Sequence, residues 1–408
     1  MINKKIRVVW FTNVSLLNEL SDGSGSWLFA MRDIICDDVE LFNVIPSKKS
    51  KRTSRIVGYN IIEYQVPLEN LTENVNQCLI SIKPNLIHIW GTESIWASFF
   101  STYNTKIPIL LEIQGVLTSC FNVFWGGLSQ SSLMKFRSIF SIFLPTLSMD
   151  NEFKRYKESS EKECKLINKY NLISTQSNWT RGQIHIINQN NIRIFRSLRP
   201  IRRSFIESRR WGKGGGNNKV LFSSLSYCLP FKGLHVLFKI LSIVKQRYPD
   251  IVLKIAGIDL NKGGKFRDDY TNFLKKLILD LGIDNNLLFL GRLNEKELVE
   301  HLLSSDVFIN PSFVESFSAS SVEALALGVP SLLAYAGAMP EFSNKEKIAE
   351  YYCPLDFYDG AAKVLSLLEG DEKNEALSIT SYTCIRESFK SEAVRKCQID
   401  IYSKVLSS

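Results

Sequence analysis

Residues 306–331 read Asp-Val-Phe-Ile-Asn-Pro-Ser-Phe-Val-Glu-Ser-Phe-Ser-Ala-Ser-Ser-Val-Glu-Ala-Leu-Ala-Leu-Gly-Val-Pro-Ser, and the rest of the chain is organised around this stretch. It opens with an apolar run, Val307–Ile309, which is typical of a buried strand and ends before Asn310 and Pro311. A serine-rich turn follows, and the apolar residues after it predict a helix that ends at Gly328. This order of elements brings free backbone N–H groups and the positive end of a helix dipole together. The stretch therefore predicts an anion-binding site.

Serine and glutamate residues fill the turn and the start of the helix. The serines are predicted to cap the helix, and they are small enough to leave room for an anion; they are Ser316, Ser318, Ser320 and Ser321. Glu315 and Glu323 would lie about 12 Å apart along the axis if both were helical, so they would not share a proton. Each could instead bind a different hydroxyl group of one long polyhydroxy ligand. The alternative is that both are surface glutamates near a helix start, where negative charge is favoured.

The same frame resembles that of the retaining glycosyltransferases of family 4, which have the GT-B fold. It reads Pro-Ser-x-x-Glu-Ser-Phe and then Glu-Ala-Leu-Ala-x-Gly-Val-Pro, with seven residues between the glutamates. The resemblance implies that Glu315 is a catalytic residue that contacts the donor sugar and that Glu323 holds the ribose of the nucleotide. It also implies that the diphosphate is bound by the backbone of Phe317, Ser318, Ala319 and Ser320.

The composition is that of an ordinary globular chain. Its 408 residues are 45% hydrophobic and 22% charged, which predicts two or three domains with ample core. The N-terminus enters a strand directly and predicts no signal peptide, and no apolar run reaches the ~18 residues of a membrane span. Eight cysteines and four histidines are scattered without any Cys-x-x-Cys pair, which predicts reduced thiols in a cytoplasmic protein and no metal site.

The net charge of +9 is concentrated in the first half of the chain. Residues 1–200 contain 23 basic and 16 acidic residues, a net charge of +7, and five more basic residues follow between 202 and 213. A basic half predicts an anionic partner, such as a membrane surface or a phosphate-bearing acceptor. A merely solvated basic face is the alternative. No nucleic-acid-binding motif accompanies the charge, so nucleic acid is not a predicted partner.

Strand and helix patterns alternate through both halves of the chain. Apolar runs such as Ile6–Thr12, Leu86–Trp90 and Ile109–Gln114 predict strands separated by helices. The series restarts at Val220–Ser223 and continues to the strand at 307–309. The alternation predicts an α/β fold, and with the resemblance it gives GT-B, two Rossmann-like doubly wound domains facing across a cleft.

A glycine-rich segment marks the boundary between the two series. Residues 211–219 include three consecutive glycines and predict a flexible connection. The predicted organisation is an acceptor-binding domain over residues 1–205, a linker over 206–218 and a nucleotide-sugar donor-binding domain over 219–390. The resemblance implies that a terminal helix, 391–408, returns to the first domain.

Two sets of site residues are predicted in the first half. Family 4 enzymes have a glycine loop near the donor diphosphate, and the best match is Gly25-Ser26-Trp27, so Gly25 and Ser26 are predicted to bind the donor. Ligands of doubly wound sheets bind at the carboxyl ends of strands, so Glu93 and Gln114 are predicted to bind the acceptor. The alternative for Glu93 is an acidic residue at a helix N-terminus. Many relatives carry histidine near position 114, whereas glutamine cannot act as a base.

Residues 116–147 interrupt the alternation. They are dense in aromatic and apolar side chains, with Lys135 and Arg137 among them. Such a segment either dips into a bilayer surface or packs as a helix in the cleft wall. The sequence leaves both interpretations open.

Lys232 is the second predicted catalytic residue. It lies in Phe231-Lys232-Gly233, just before a predicted helix, where its ammonium group can contact a diphosphate. An ordinary surface lysine is the alternative, and the resemblance implies phosphate binding. Relatives usually carry an arginine about five residues earlier. Here Ser223-Ser224-Leu225 occupies that neighbourhood, so the arginine that would help to bind the donor phosphates is missing.

The resemblance implies a retaining, metal-independent glycosyltransferase that moves a sugar from a nucleotide diphosphate donor to a hydroxyl group of a glycan or lipid-linked acceptor. It implies no cofactor and a role in bacterial cell-surface polysaccharide or lipopolysaccharide assembly, with possible contact with the inner face of the cell membrane. One alternative is another GT-B activity, such as a nucleotide-sugar epimerase. The other is a non-catalytic nucleotide-sugar-binding subunit, which the missing arginine and Gln114 favour.

Overall fold

The computed structural model of the chain describes residues 5–17, 26–47, 53–137, 143–144, 147–213, 218–260, 268–343 and 346–407. The chain divides into two compact units. The first comprises Met1–Val116, Lys162–Arg202 and Phe389–Ser408, and the second comprises Leu117–Glu161 and Arg203–Ser388. Within the described ranges, no helix combines the length and the apolar composition that crossing a bilayer requires.

The strands follow one another in short segments of three to nine residues. In chain order they are β1 (Ile6–Phe11), β2 (Val39–Ser47), β3 (Ser54–Gly58), β4 (Ile61–Pro67), β5 (Leu86–Trp90), β6 (Ile109–Ile113), β7 (Leu172–Thr175), β8 (Arg193–Arg196), β9 (Val220–Ser224), β10 (Val252–Ala256), β11 (Leu287–Gly291), β12 (Val307–Asn310), β13 (Ser331–Ala334) and β14 (Glu350–Tyr352).

Helices separate most of these strands. In chain order they are α1 (Ser26–Ile35), α2 (Leu71–Ile82), α3 (Ile95–Phe100), α4 (Leu117–Asn122), α5 (Gln130–Met134), α6 (Met149–Ile167), α7 (Asn178–Ile187), α8 (Arg203–Ile206), α9 (Leu234–Val244), α10 (Asp269–Leu281), α11 (Glu295–Leu303), α12 (Ala319–Ala326), α13 (Phe357–Glu369), α14 (Asp371–Ser388) and α15 (Ser391–Leu406).

The first unit is built on an eight-stranded sheet with the order β3-β4-β2-β1-β5-β6-β7-β8. Neighbouring strands are parallel except β3 and β4, which are antiparallel. Consecutive residues of a strand point to opposite faces, so Val9 packs in one apolar core and Trp10 in the other. Helix α15 packs in the core that contains Trp10, whose indole Nε1 donates a hydrogen bond to the Tyr402 hydroxyl (2.9 Å).

The second unit is built on a six-stranded parallel sheet with the order β11-β10-β9-β12-β13-β14. Its central strands are covered on both faces, and every residue of β12 and β13 is buried. Such continuous apolar runs are typical of strands in a parallel sheet that helices cover on both sides. The predicted α/β class, with two Rossmann-like doubly wound sheets, is confirmed.

The segment Leu117–Glu161, which the sequence assigns to the acceptor-binding domain, packs within the second unit. Phe124 and Tyr156 contact the Phe231 ring, with centroid distances of 6.3 and 5.7 Å. The His235 Nε2 atom lies 2.9 Å from the carbonyl oxygen of Gly126. Aromatic contacts and a buried hydrogen bond therefore hold the described residues of this segment on the turn that carries Lys232. Residues 138–142 and 145–146 of the aromatic stretch lie outside the described part.

Residues 203–213 also belong to the second unit, although the sequence assigns 206–218 to a linker. Trp211 is buried and donates its Nε1–H to the carbonyl oxygen of Ser305 (2.8 Å). The Arg386 guanidinium donates to the carbonyl oxygens of Phe205 (2.8 Å) and Ser208 (2.7 Å). These contacts fix the first part of the predicted linker. The three glycines at 214–216 lie outside the described residues.

Candidate active site

The second sheet reverses its strand order between β9 and β12. From β9 the chain continues through β10 to β11 on one side and then returns to β12 on the other. In a doubly wound sheet, the loops that follow two such strands diverge and leave a crevice at their carboxyl ends. Lys232 lies in the connection that follows β9, and Glu315 lies in the connection that follows β12. The topology therefore brings the two predicted catalytic residues to one crevice.

Lys232 and Glu315 form an ion pair in this crevice. The Lys232 ammonium donates to Glu315 Oε1 at 2.7 Å, and the two side chains are about 85% buried, with exposed fractions of 15% and 17%. Burial by itself lowers the pKa of the Lys232 ammonium, but the charge of Glu315 and its hydrogen bond raise it, and the net shift of the pKa is upward. Lys232 is therefore positively charged at neutral pH.

Close backbone contacts position both residues. Gly233 has φ +75° and lies so near Pro311 that a Cβ atom would be 2.1 Å from the Pro311 carbonyl oxygen. The Phe313 amide donates to the Phe231 carbonyl (2.8 Å), so the Lys232 turn and the Glu315 loop are joined directly. On the other side, a Cβ atom on Gly337, which has φ +57°, would be 2.1 Å from the Glu315 carbonyl oxygen. Only glycine allows these approaches.

Helix α12 begins beside the ion pair. Its N-cap residue, Ser318, has the left-handed backbone conformation (φ 59°, ψ 75°), and its side chain makes no capping hydrogen bond. The Asn310 amide instead donates to Ser318 Oγ (2.8 Å) and Ser321 Oγ (3.0 Å), and Ser318 Oγ donates to Ser321 Oγ (2.7 Å). The prediction that Ser318 caps the helix is therefore wrong, because Asn310 draws its hydroxyl group into a buried network. The start of the helix keeps its positive dipole end without a side-chain cap from Ser318.

The other predicted donor-binding residues lie on the same loop and helix. Phe317 is buried, and its ring centroid lies 6.3 Å from that of Phe342. Ala319 and Ser320 are half-buried in the first turn of α12, and Glu323 is buried in the second turn. Glu315 precedes the helix, so only Glu323 of the glutamate pair is helical. In the stretch Ser223–Leu225, where the resemblance led us to expect an arginine, Ser223 and Leu225 are buried.

The first sheet also reverses its order, between β1 and β5. Of the glycine-loop residues predicted to bind the donor, Gly25 lies outside the described residues, and Ser26 begins helix α1. Trp27 is buried, with the Arg199 guanidinium 4.2 Å from its ring centroid. In the described residues after β1, the Leu16 amide donates to the Glu63 carboxylate (2.8 Å).

The predicted acceptor-binding residues follow β5 and β6, which are neighbours in this sheet. Glu93 is exposed, and its carboxylate lies against Gly91, where a Cβ atom would be 2.4 Å from Glu93 Oε1. Helix α3 is capped by Ser94, whose hydroxyl accepts from the Ala97 amide (3.3 Å), so Glu93 is not the cap of that helix. Gln114 is half-buried at the end of β6. Both side chains lie at the carboxyl edge of the sheet, and their roles stay predictions.

Two buried carboxyl groups lie below this edge: Glu63, which was not among the predicted site residues, and Glu112, which belongs to the same predicted strand end as Gln114. Glu63 accepts hydrogen bonds from Ser15 Oγ (2.7 Å) and from Asn43 Nδ2 (2.9 Å). Glu112 accepts from Ser174 Oγ and from Ser197 Oγ (2.7 Å), and burial raises the pKa of its carboxyl group. Glu112 lies inside the predicted strand Ile109–Gln114, and Glu63 lies in β4, so an acid within a largely apolar stretch was the available sequence signal.

In the second unit, sequence reasoning missed the roles of Asn310 and His235. Asn310 was interpreted only as the end of a strand, although an asparagine after a buried strand and before serines offers both a donor and an acceptor. His235 is buried between Gly126 and the Tyr270 hydroxyl, which lies 2.9 Å from its Nδ1 atom. Burial lowers the pKa of His235 to about 4, so the ring is neutral at pH 7.

Comparison with known proteins agrees with this geometry. Residues 206–383 match the model of the family described as glycosyl transferases group 1. An MMP alpha-(1->4)-mannosyltransferase from Mycolicibacterium hassiacum is 30% identical over 134 residues, which is 33% of this chain and 33% of that protein. A D-inositol 3-phosphate glycosyltransferase from Pseudarthrobacter chlorophenolicus is 32% identical over 108 residues, 26% of this chain and 24% of that protein. The matched part thus spans a third or less of these relatives.

Solved structures resemble the chain over nearly its whole length. A sucrose-phosphate synthase from Thermosynechococcus elongatus has a TM-score of 0.72 at 12% identity, covering 99% of this chain and 100% of that chain. Anabaena HepE in complex with UDP and glucose has a TM-score of 0.66 at 14% identity, covering 98% and 99%. At such identities the likeness shows the fold. Residues 206–383 therefore resemble the group 1 glycosyl transferases, and the chain as a whole has the GT-B fold.

Proposed function

We propose that the protein is a retaining glycosyltransferase that transfers a sugar from a nucleotide diphosphate donor to a hydroxyl group of a glycan or lipid-linked acceptor. The observation that carries the proposal is the crevice of the second sheet. There a buried lysine, a neighbouring glutamate and a helix start without a side-chain cap from Ser318 lie together. A diphosphate needs a fixed cation and backbone N–H donors, and a sugar needs a carboxylate for its hydroxyl groups.

The chemistry follows from where charge develops. The bond between the anomeric carbon and the donor phosphate oxygen breaks, and a new bond forms from that carbon to the acceptor oxygen. The proton of the acceptor hydroxyl passes to the departing phosphate, so no histidine base is required. Lys232 and the amides of Ala319 and Ser320 stabilise the negative charge that accumulates on the leaving diphosphate. Glu315 orients the sugar hydroxyl groups.

Donor binding must separate the ion pair between Lys232 and Glu315. In the structure the Lys232 ammonium is bound by Glu315, although the proposed mechanism assigns the ammonium to phosphate and the carboxylate to sugar. Donor binding therefore replaces one charge-assisted hydrogen bond by two, one on each residue. A free nucleotide offers a partner to Lys232 alone, so the sugar is needed to satisfy both groups.

The names of the relatives support the proposed class of donor. HepE was solved with UDP and glucose, and the two curated relatives are named as a mannosyltransferase and an inositol phosphate glycosyltransferase. We extend to this chain a hexosyl donor on a nucleoside diphosphate and a role in bacterial cell-surface glycan assembly. Cytoplasmic location, the absence of a cofactor and the absence of a metal requirement remain predictions from the sequence.

The test begins with a panel of UDP-, GDP- and ADP-hexoses in thermal unfolding, because a ligand that binds only the folded state raises the melting temperature. The stabilising donor is then incubated with the protein, and release of the nucleotide is followed as the sugar is transferred to water or to an added glycan. The anomeric configuration of the transferred or freed sugar is read by NMR. Nucleotide release with retained configuration supports the proposal, and inverted configuration contradicts the retaining mechanism.

The same assay separates the alternatives. An epimerase would change the configuration of a sugar carbon without consuming an acceptor in step with nucleotide release. A non-catalytic binding subunit would be stabilised by the donor and would release no nucleotide. Glu315→Ala tests this last case further. In a non-catalytic subunit, the substitution would leave donor binding intact, and neither the parent chain nor the variant would transfer sugar.

A further inference from the structure

The β3–β4 hairpin, Ser54–Pro67, leaves apolar side chains uncovered at one edge of the first sheet. Strand β3 is the last strand in that sheet and pairs only with β4. Ile56 is 41% exposed, and Val57 and Tyr59 are both 65% exposed. Successive strand residues point to opposite faces, so Ile56 and Val57 leave both faces of the edge apolar. A sheet edge with exposed apolar residues is a surface that natural proteins normally cover or use.

The exposed tip of the hairpin is a tight turn with an anchored aromatic ring. Tyr59 and Asn60 both have left-handed backbone conformations, with φ of 50° and 59°, which is the pattern of a tight two-residue hairpin turn. The guanidinium of the buried Arg32 lies 4.7 Å from the centroid of the Tyr59 ring. The aromatic ring is therefore held in place at the tip of the hairpin before any partner binds.

In the sequence, basic residues lead into the hairpin, and the one acidic residue within it, Glu63, is buried. Residues 41–62 contain five basic residues and no acidic residue. Arg55 is exposed on β3, and the other four, Lys48, Lys49, Lys51 and Arg52, precede the strand in the sequence. Apolar and aromatic side chains next to basic residues match the interface of a bilayer with anionic lipids, where tyrosine is favoured and each cation is attracted to the surface.

We infer that the β3–β4 hairpin docks the protein on an anionic membrane surface, with Ile56, Val57 and Tyr59 entering the lipid interface and Arg55 contacting the headgroups. A second copy of the chain fits this edge less well. Strand β3 has only five residues, whereas stable dimers typically bury about 1,200–2,000 Å² of surface. Pairing of two such short strands would bury far less. It would also bring two basic segments together. The inference does not depend on the proposed transfer reaction, because membrane binding needs no donor.

The experiment is co-sedimentation of the full chain, without donor, with vesicles of phosphatidylcholine alone or mixed with phosphatidylglycerol. We expect binding to the mixed vesicles that weakens as salt is added, because exposed charges are screened. The double substitution Val57→Ser with Tyr59→Ser should lower the bound-to-free ratio by about tenfold. The matched control is Ile186→Ser on α7 of the same unit, where the side chain is 73% exposed, and it should leave binding unchanged.

Arg55→Glu gives a second, independent arm and should weaken binding to the mixed vesicles only. Thermal unfolding of each variant shows that the fold is kept. The inference is overturned by equal binding to both kinds of vesicle, by no binding to either, or by an equal loss in the Ile186 control. It is also overturned if the Val57/Tyr59 variant changes from dimer to monomer in light scattering, since the edge would then pair with a second copy.

Discussion

The crevices of the two sheets are alike in topology and different in how their polar groups are held. In the second sheet, the predicted catalytic residues are partly buried (15% and 17% exposed), paired with each other and fixed by glycine contacts to the backbone. In the first sheet, Glu93 is exposed and Gln114 half-buried, and the firmly held polar residues, Glu63 and Glu112, lie beneath the surface. The polar groups of the second crevice are thus paired at the crevice itself, whereas in the first the hydrogen-bonded acids lie below the predicted acceptor residues.

This difference fits the two tasks that the proposed reaction sets. Stabilising a leaving diphosphate requires donors that are already in place, because reorganisation during the reaction would raise the barrier. Recognising an acceptor requires only enough contact to hold a hydroxyl group near the donor. We therefore expect substitutions in the second crevice to lower the rate greatly and those in the first to change acceptor affinity modestly.

The largest effect is expected from Lys232→Met. Loss of the ammonium removes the fixed cation from the leaving diphosphate, and nucleotide release should fall by about 10²- to 10³-fold. Lys239→Met is the matched control, because Lys239 lies on α9 against Phe357, with its Nζ 4.9 Å from that ring centroid. The two variants are compared by nucleotide release at saturating donor. A Lys232 variant that keeps more than about a tenth of the activity contradicts the preorganised crevice.

The free energy of unfolding should depend on pH through two buried groups, His235 in the second unit and Glu112 in the first, and the two contributions have opposite signs. The pKa of His235 is lowered to about 4, so the unfolded chain binds the extra proton first and stability falls as the pH drops from 6.5 towards 4, by up to about 3 kcal/mol. The pKa of Glu112 is raised by burial, so its contribution is present at low pH and is lost as the pH rises.

Urea unfolding of His235→Gln and Glu112→Gln between pH 4 and pH 8 measures these contributions. Relative to the parent chain, the His235 variant should lose less stability on acidification, and the Glu112 variant should lose less on alkalinisation. Comparing slopes with pH rather than absolute stabilities removes the cost of altered packing. Parallel pH profiles for the parent and both variants would contradict the assigned shifts.

A smaller effect is expected from Gly337→Ala, which tests the backbone contact beneath Glu315. The added Cβ meets the Glu315 carbonyl oxygen, so the loop must move, at a cost of about 2 kcal/mol in the free energy of unfolding, with loss of donor binding. Gly282→Ala is the control, because Gly282 also has a positive φ (60°) but has no atom near its Cβ position. It should cost about 1 kcal/mol and leave donor binding intact. If both variants lose the same stability and keep the same donor binding, the contact between Gly337 and the Glu315 carbonyl does not position Glu315.

The smallest effect is expected in the first crevice. Gln114→Ala should raise the acceptor KM by roughly 3- to 10-fold, about 1 kcal/mol, and leave the melting-temperature shift produced by the donor unchanged. Glu93→Gln should act similarly, since it keeps the shape of the side chain and removes its charge. Initial rates over a range of acceptor concentrations separate KM from kcat. A loss confined to kcat would instead move these residues into the chemical step.

The sequence predicted the framework of the second crevice because the determinants are local. The apolar run Leu86–Trp90 predicted the bounds of β5, and the strand-turn-helix order at 306–331 placed Glu315 in the turn before helix α12. Local pattern did not reveal that Asn310 binds the serine hydroxyls or that Lys232 pairs with Glu315, because both contacts depend on distances set by the whole sheet.

The first unit was predicted less completely for a related reason. The short strands β3 and β8 were missed, because their residues are largely exposed and carry no continuous apolar run. The segment 117–161 was assigned by its position in the sequence to the first domain, whereas Phe124 and Tyr156 pack on Phe231 of the second unit. Aromatic density predicts burial, but it does not say against which neighbour.

The most direct test of the central claim is a crystal structure of the protein with its stabilising nucleotide sugar bound. We predict that the diphosphate lies within hydrogen-bond distance of Lys232 and of the amides of Ala319 and Ser320, and that Glu315 has left Lys232 to contact the sugar. A diphosphate bound away from the start of α12, with the Lys232–Glu315 pair intact, would contradict the account.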